Sequence, residues 1–183
     1  MNEKIMIASD IHGSAFWCEK LIQAFEKEQP DKLLLLGDLL YHGPRNPLPD
    51  GYQPMQVVEL LSSIKEKLIC VRGNCDSEVD QMVLPFPIMA DYAMLLVGGV
   101  KIYATHGHLA GEQTPPPLEN GDLFFNGHTH TPTHKTLNSG VIYANCGSVS
   151  LPKEGTPHSY MVLENGVLTW KDLATVQEFE PCK

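Results

Sequence analysis

Short apolar runs rich in Ile, Leu, Val, Phe and Tyr recur at residues 4–9, 33–36, 68–71, 100–104, 123–125 and 141–144. Their length and β-rich composition predict buried strands. Between the first three runs lie two segments with helical periodicity. In residues 14–29 the positions Trp17, Leu21, Ala24 and Phe25 share one stripe, and in residues 54–67 Val57, Leu60, Leu61 and Ile64 do so. Alternating strands and helices imply right-handed parallel crossovers. The second half changes character: Gly98-Gly99 separates two β-type runs, and Asn165-Gly166 separates residues 160–163 from 167–170. Both are hairpin signals, so antiparallel strands follow. The pattern predicts an α/β chain, most simply two packed sheets with helices outside. Two stretches resist regular structure, residues 41–54 with Pro44, Pro47, Pro49 and Pro54, and residues 111–121 with Pro115, Pro116 and Pro117. Both read as surface loops.

At 183 residues the chain is expected to be one domain spanning positions 1–183, since no repeat or linker divides it. No apolar run approaches the roughly 20 residues of a membrane span, and the apolar stretch before Asp10 is too short for a secretory signal. Cysteine use adds to this. Five is an odd number, with Cys18 in a helical segment, Cys70 in an apolar run and Cys182 at the tail. That distribution gives no disulfide framework and fits a reducing cytoplasm. Charge narrows the substrate: 13 basic against 22 acidic residues leave −9, without a basic stripe. Such a surface repels long nucleic acid, and small esters become the expected partners.

Candidate chemistry is positional. Asp10 and His12 follow the first apolar run, Asp38 the second, Asn74 the third, His106 the fourth, and His128 and His130 the fifth. Gly37, Gly73, Gly107 and Gly127 stand beside them, offering backbone that turns sharply. In open α/β sheets the crevice beyond the carboxyl ends of the strands collects ligands. Any one of these residues taken alone reads better as an ordinary polar strand cap, but seven in register point to one metal site.

The motifs Asp10-x-His12, Gly37-Asp38, Gly73-Asn74-x-Asp76, His106-Gly107 and Gly127-His128-x-His130 resemble the calcineurin-like metallophosphoesterase family. The run from Val71 to Asp76 and Asn145-Cys146-Gly147-Ser148 look most like its small bacterial and archaeal YfcE-type phosphodiesterases. The resemblance implies a four-layer α/β/β/α sandwich of two mixed sheets flanked by helices. It assigns Asp10, His12, Asp38 and His130 to one ion and Asp38, Asn74, His106 and His128 to a second, with Asp38 bridging. Imidazole, carboxylate and amide donors suit two divalent transition-metal ions, manganese first, with zinc, iron, cobalt or nickel as alternatives. Two ions less Asp10, Asp38 and a bridging hydroxide leave about +1 to meet a phosphodiester, with in-line attack by that hydroxide.

The family pattern has histidine where this chain has Cys75, so Cys75 and Asp76 become the catalytic candidates for delivering a proton to the leaving group. A thiol is a poorer acid near neutrality than imidazolium, which favours good leaving groups unless His42 or His108 substitutes. Asp76 either pairs with a nearby base or caps a helical turn at residues 77–81. Arg45, in the proline-rich loop, joins His42 and His108 as a candidate substrate contact, and Arg72 either does the same or pairs with a carboxylate. Three alternatives stay open: a phosphomonoesterase, a non-catalytic interaction module on the same fold, and a nuclease of long DNA, against which the −9 charge counts; the 41–54 loop either walls the pocket or forms a homo-oligomer contact.

Overall fold

The computed structural model describes residues 3–183. Its elements run β1 (Lys4–Ala8), α1 (Ala15–Glu28), β2 (Lys32–Leu35), α2 (Pro54–Ser62), β3 (Leu68–Cys70), α3 (Glu78–Val83), β4 (Ala93–Val97), β5 (Val100–Ala104), β6 (Leu123–Asn126), β7 (Thr133–Thr136), β8 (Ile142–Asn145), β9 (Ser159–Glu164), β10 (Val167–Asp172) and β11 (Glu178–Phe179). Strands β1, β2 and β3 are parallel neighbours, and β9, β10 and β11 extend that sheet antiparallel beyond β1. The second sheet, ordered β4-β5-β6-β8-β7, has three parallel central strands and antiparallel edges.

The uninterrupted hydrophobic run of β1 reflects two covered faces. Ile5 and Ile7 face the second sheet, where Ile102, Phe125 and Ala144 await them. Met6 and Ala8 face the helices and meet Trp17, Leu21, Val57 and Leu61. Helix α1 starts at Ser14, whose Oγ accepts from the Trp17 N–H at 3.2 Å, and stops at Gln29 in left-handed conformation.

The two mixed sheets pack face to face as expected, with α1 and α2 covering the outer face of the first. Over the outer face of the second sheet the cover is loop: Ala110, Leu118 and Leu137 pack on Phe124, Val141 and Tyr143. Three consecutive prolines in residues 115–117 keep that stretch from becoming helix. The predicted 54–67 helix is shorter than its stripe. It ends at Ser62 and gives way to a 3-10 turn at Lys65–Lys67. The Ser62 and Ser63 hydroxyls each donate to a carbonyl of the preceding turn, Val58 O and Leu60 O at 2.6 Å, a competition that loosens a helix end.

Candidate metal centre

All seven candidate ligands lie where strands of both sheets end. Five of them reach it through disfavoured backbone: Asp10, His12, Asp38, His128 and His130 have φ of 59, 49, 55, 67 and 63°. Among the described residues only Gln29, Glu154, Asn165 and Val176 share that left-handed region without being glycine. Such backbone costs about 1 kcal/mol or more per residue and survives where its surroundings over-determine it.

The surroundings here are hydrogen bonds that continue the strand ladder past the strands. Asp10 N–H donates to Gly37 O at 3.0 Å, His12 N–H to Asp38 O at 2.9 Å and Gly13 N–H to Leu39 O at 2.9 Å. Ser148 and Ser150 hydroxyls donate to Asp10 O at 2.9 and 3.1 Å. The His128 N–H donates to Asp10 Oδ2 at 3.0 Å and ties the two sheets together at the site. The glycines divide by function. Gly37 and Gly107 turn through φ of 95 and 114°, as expected. Gly73 and Gly127 do not; a Cβ on either would collide with Asp38 Oδ1 or Ser9 Oγ, so they are glycine for space.

Three imidazoles are aimed by their far nitrogens. Nδ1–H of His12 donates to Tyr41 O at 2.8 Å, that of His106 to Leu36 O at 2.7 Å, and that of His130 to Leu151 O at 2.6 Å. A carbonyl only accepts, so each Nδ1 carries a proton and each Nε2 turns inward, where it offers a lone pair whenever the ring is neutral. His12 Nε2 and His130 Nε2 stand 3.2 Å apart, and His128 Nδ1 stands 3.2 Å from His106 Nε2. His106 Nε2 also lies 3.0 Å from Asn74 Oδ1.

Ring nitrogens packed this closely need a proton or a metal ion between them. Ligand atoms of Asp10, His12 and His130 lie within 4.8 Å of one another, and so do those of Asp10, Asp38 and His106. Asp10 is 0% exposed, and its Oδ1 lies 3.1 Å from His130 Nε2 and 3.4 Å from His12 Nε2 with no other hydrogen-bonding neighbour. A buried carboxylate oxygen facing two imidazole nitrogens fits a bound divalent ion. The protein charges alone show the same tension. Burial opposes ionisation, yet Asp10 and then Asp38 hold His106 up at about 9, while His106, His12 and His130 keep Asp10 well below the usual carboxylate range. His128 is pushed down by burial and by His106.

The calcineurin-like phosphoesterase superfamily domain matches residues 4–166. The chain belongs to that superfamily. Phosphodiesterase YfcE of Escherichia coli K12 is 47% identical over 91% of the chain and 90% of its own length. A solved structure of YfcE, described as a phosphoesterase from E. coli, superposes with a TM-score of 0.94 at 45% identity, covering 97% of both chains. The Vacuolar Protein Sorting 29 structure from Cryptosporidium parvum shares the fold at a TM-score of 0.65, with 19% identity over 97% of this chain and 95% of that one.

Beside the seven candidate ligands lies a cavity of about 480 Å³, lined by Asp38, Asn74, Cys75, His128 and His130 together with Arg45, Asn46, Thr129 and Lys153. Cys75 is half-buried; its Sγ accepts from Asn74 Nδ2 at 3.2 Å, and its N–H donates to Asp38 Oδ1 at 2.8 Å. Burial and then the Asp38 carboxylate push the thiol well above its usual range when protein groups alone act on it.

Several expected contacts are not made. Asp76 does not cap α3: Ser77 does, in a reciprocal pairing with Asp80. Asp76 instead accepts from the N–H groups of Gly73, Asp38 and Leu39 at 2.7, 2.8 and 2.9 Å, and is 2% exposed. Arg72 reaches no carboxylate; its Nε donates to Asp76 O at 3.3 Å. His42 is absent from the cavity lining, its ring packed edge-on against Tyr41 and Tyr52 at 4.9 and 5.3 Å. His108 lies in a neighbouring hollow, its ring 5.4 Å from that of His106. The reverse also occurs: Asn46, Thr129 and Lys153 line the cavity without having been singled out. For Lys153 a signal existed, because it sits on the loop leaving a strand of the site-bearing edge.

Proposed function

We propose that the chain is a metal-dependent phosphodiesterase that hydrolyses small phosphate diesters at a dinuclear centre. The observation that carries this is the imidazole array: three rings are fixed by backbone carbonyls so that their Nε2 atoms converge on Asp10 and Asp38. Asp10, His12, Asp38 and His130 would hold one ion and Asp38, Asn74, His106 and His128 the other, manganese first among manganese, zinc, iron, cobalt and nickel. When bound, the two ions supply Lewis-acid activation of water and neutralise phosphoryl charge. The name of the E. coli relative supports a diester over a monoester.

The remaining residues position and select. Asp76 holds the backbone that presents Asp38, so it acts as a positioning residue with no contact to substrate. Cys75 occupies the proton-donor position with a weak acid, which restricts the enzyme to good leaving groups such as aryl or nucleotide esters. Arg45 supplies a guanidinium to the phosphoryl oxygens. Five free cysteines support a reducing, cytoplasmic setting, and residues 1–183 are read as one domain. A retained, strained ligand set argues against the interaction-module alternative, because a scaffold gains nothing from buried polarity.

The test is hydrolysis of bis(p-nitrophenyl) phosphate by manganese-loaded and chelator-stripped protein. Metal-dependent turnover exceeding that of p-nitrophenyl phosphate is expected. No turnover with any divalent ion would leave the interaction module standing.

A further inference from the structure

Two cations share the cavity wall, and the scissile phosphodiester does not need both. Two dications set against Asp10, Asp38 and a bridging hydroxide leave about +1, which one singly charged diester already neutralises. Arg45 and Lys153 add two more on a chain whose overall charge is −9. Among the described residues no carboxylate stands within 4.0 Å of either. A cavity of about 480 Å³ holds far more than a phosphate group.

The backbone of Lys153 is also held in place, while its side chain is exposed. Its N–H donates to the carbonyl of the ligand His130 at 3.2 Å, and its own carbonyl accepts from Thr156 N–H and Thr156 Oγ1 at 3.0 and 2.7 Å. The following Glu154 and Gly155 close the turn through φ of 56 and 71°. Two residues before Lys153, the Leu151 carbonyl orients the His130 ring. One short segment therefore aims a metal-facing imidazole and carries a lysine that lines the same cavity.

We infer that Lys153 is a specificity-determining residue that binds a second anionic group of the substrate, remote from the phosphodiester that is cleaved. The substrate class is a small phosphodiester carrying a further phosphate or carboxylate, with Arg45 left to the scissile phosphoryl group. This rests on the phosphodiesterase reading.

The test uses a matched pair of esters with the same scissile bond: the p-nitrophenyl ester of thymidine 5′-phosphate, and its counterpart bearing an added 3′-phosphate. Binding is measured in parallel by calorimetry of manganese-loaded protein with thymidine 5′-phosphate and thymidine 3′,5′-bisphosphate. Wild type is expected to bind the bisphosphate about three- to tenfold more tightly and to show a KM lower by a similar factor for the 3′-phosphorylated ester, with kcat nearly unchanged. Lys153→Met should erase that preference while leaving KM for the singly charged ester nearly unaltered, and Lys153→Arg should keep it. Equal affinities in wild type, or a Lys153→Met variant that keeps the preference or weakens both ligands alike, would overturn the inference. If the binding preference holds but neither ester is hydrolysed, the phosphodiesterase reading fails and the anion site stands.

Discussion

Asp76→Asn preserves shape and removes a charge at the residue that holds the Asp38 backbone. In the parent, Oδ2 accepts from Gly73 and Asp38 N–H at 2.7 and 2.8 Å, and Oδ1 accepts from Leu39 N–H at 2.9 Å. An amide has one accepting oxygen. In its better orientation it keeps two of the three bonds, now neutral, and turns its NH2 against the Leu39 N–H. Losing one charge-assisted bond and facing two buried donors toward each other costs about 2–4 kcal/mol. For a chain of this size that lowers Tm by roughly 4–16 °C. Asp76→Ala orphans all three N–H groups and should lose more than Asp76→Asn. The assay is thermal unfolding of chelator-stripped protein, followed by manganese titration, where both variants should bind more weakly because Asp38 is no longer held. Melting within about 2 °C of wild type, combined with a kcat loss that grows with leaving-group pKa, would refute this reasoning and restore Asp76 as a proton carrier.

Three further outcomes are expected. In Gly127→Ala the new Cβ meets Ser9 Cβ at 2.6 Å and Asp10 Oδ2 at 2.8 Å, so stability should fall by about 1–3 kcal/mol in urea unfolding, with weaker metal binding. Glu28 lies 2.7 Å from Lys4 Nζ and 2.6 Å from Lys171 Nζ; burial alone would raise its carboxyl, but Lys171 and Lys4 hold it below the ordinary 4.5. That stabilisation is present above pH 4.5 and lost on acidification through the lowered value, so Glu28→Gln should cost about 1–3 kcal/mol at pH 7 and approach wild type in acid unfolding. Cys75→His should raise turnover of alkyl esters by about tenfold or more and of aryl esters much less; equal rates across leaving groups would dismiss the weak-acid account.

The legible parts of this fold were those whose burial leaves a one-dimensional trace. Strands β1, β5 and β6 are covered on one or both faces and read directly as apolar runs, and the α1 stripe carried its own cap at Ser14. Strand β7, Thr-His-Lys-Thr, was invisible because it is a polar edge strand recruited by pairing with β8. The shortened α2 depended on serine back-bonding that no hydrophobic stripe records. Within the site, residue types at strand ends revealed the seven candidate ligands. The part played by Asp76 could not be read, because its partners come from two strand ends brought together only in the folded chain. Lys153 was missed for a related reason: its worth lies in the His130 carbonyl that anchors it, a contact between different loops. Backbone strain at five of the ligands has no sequence signature, since none of them is a glycine.

Metal stoichiometry tests the central claim most directly. Elemental analysis after manganese loading and desalting should find about two ions per chain in wild type, about one in His130→Ala, and markedly fewer than one in Asp38→Ala, whose carboxylate is proposed to serve both positions. One ion in wild type, or two retained without Asp38, would contradict a dinuclear centre bridged by that residue.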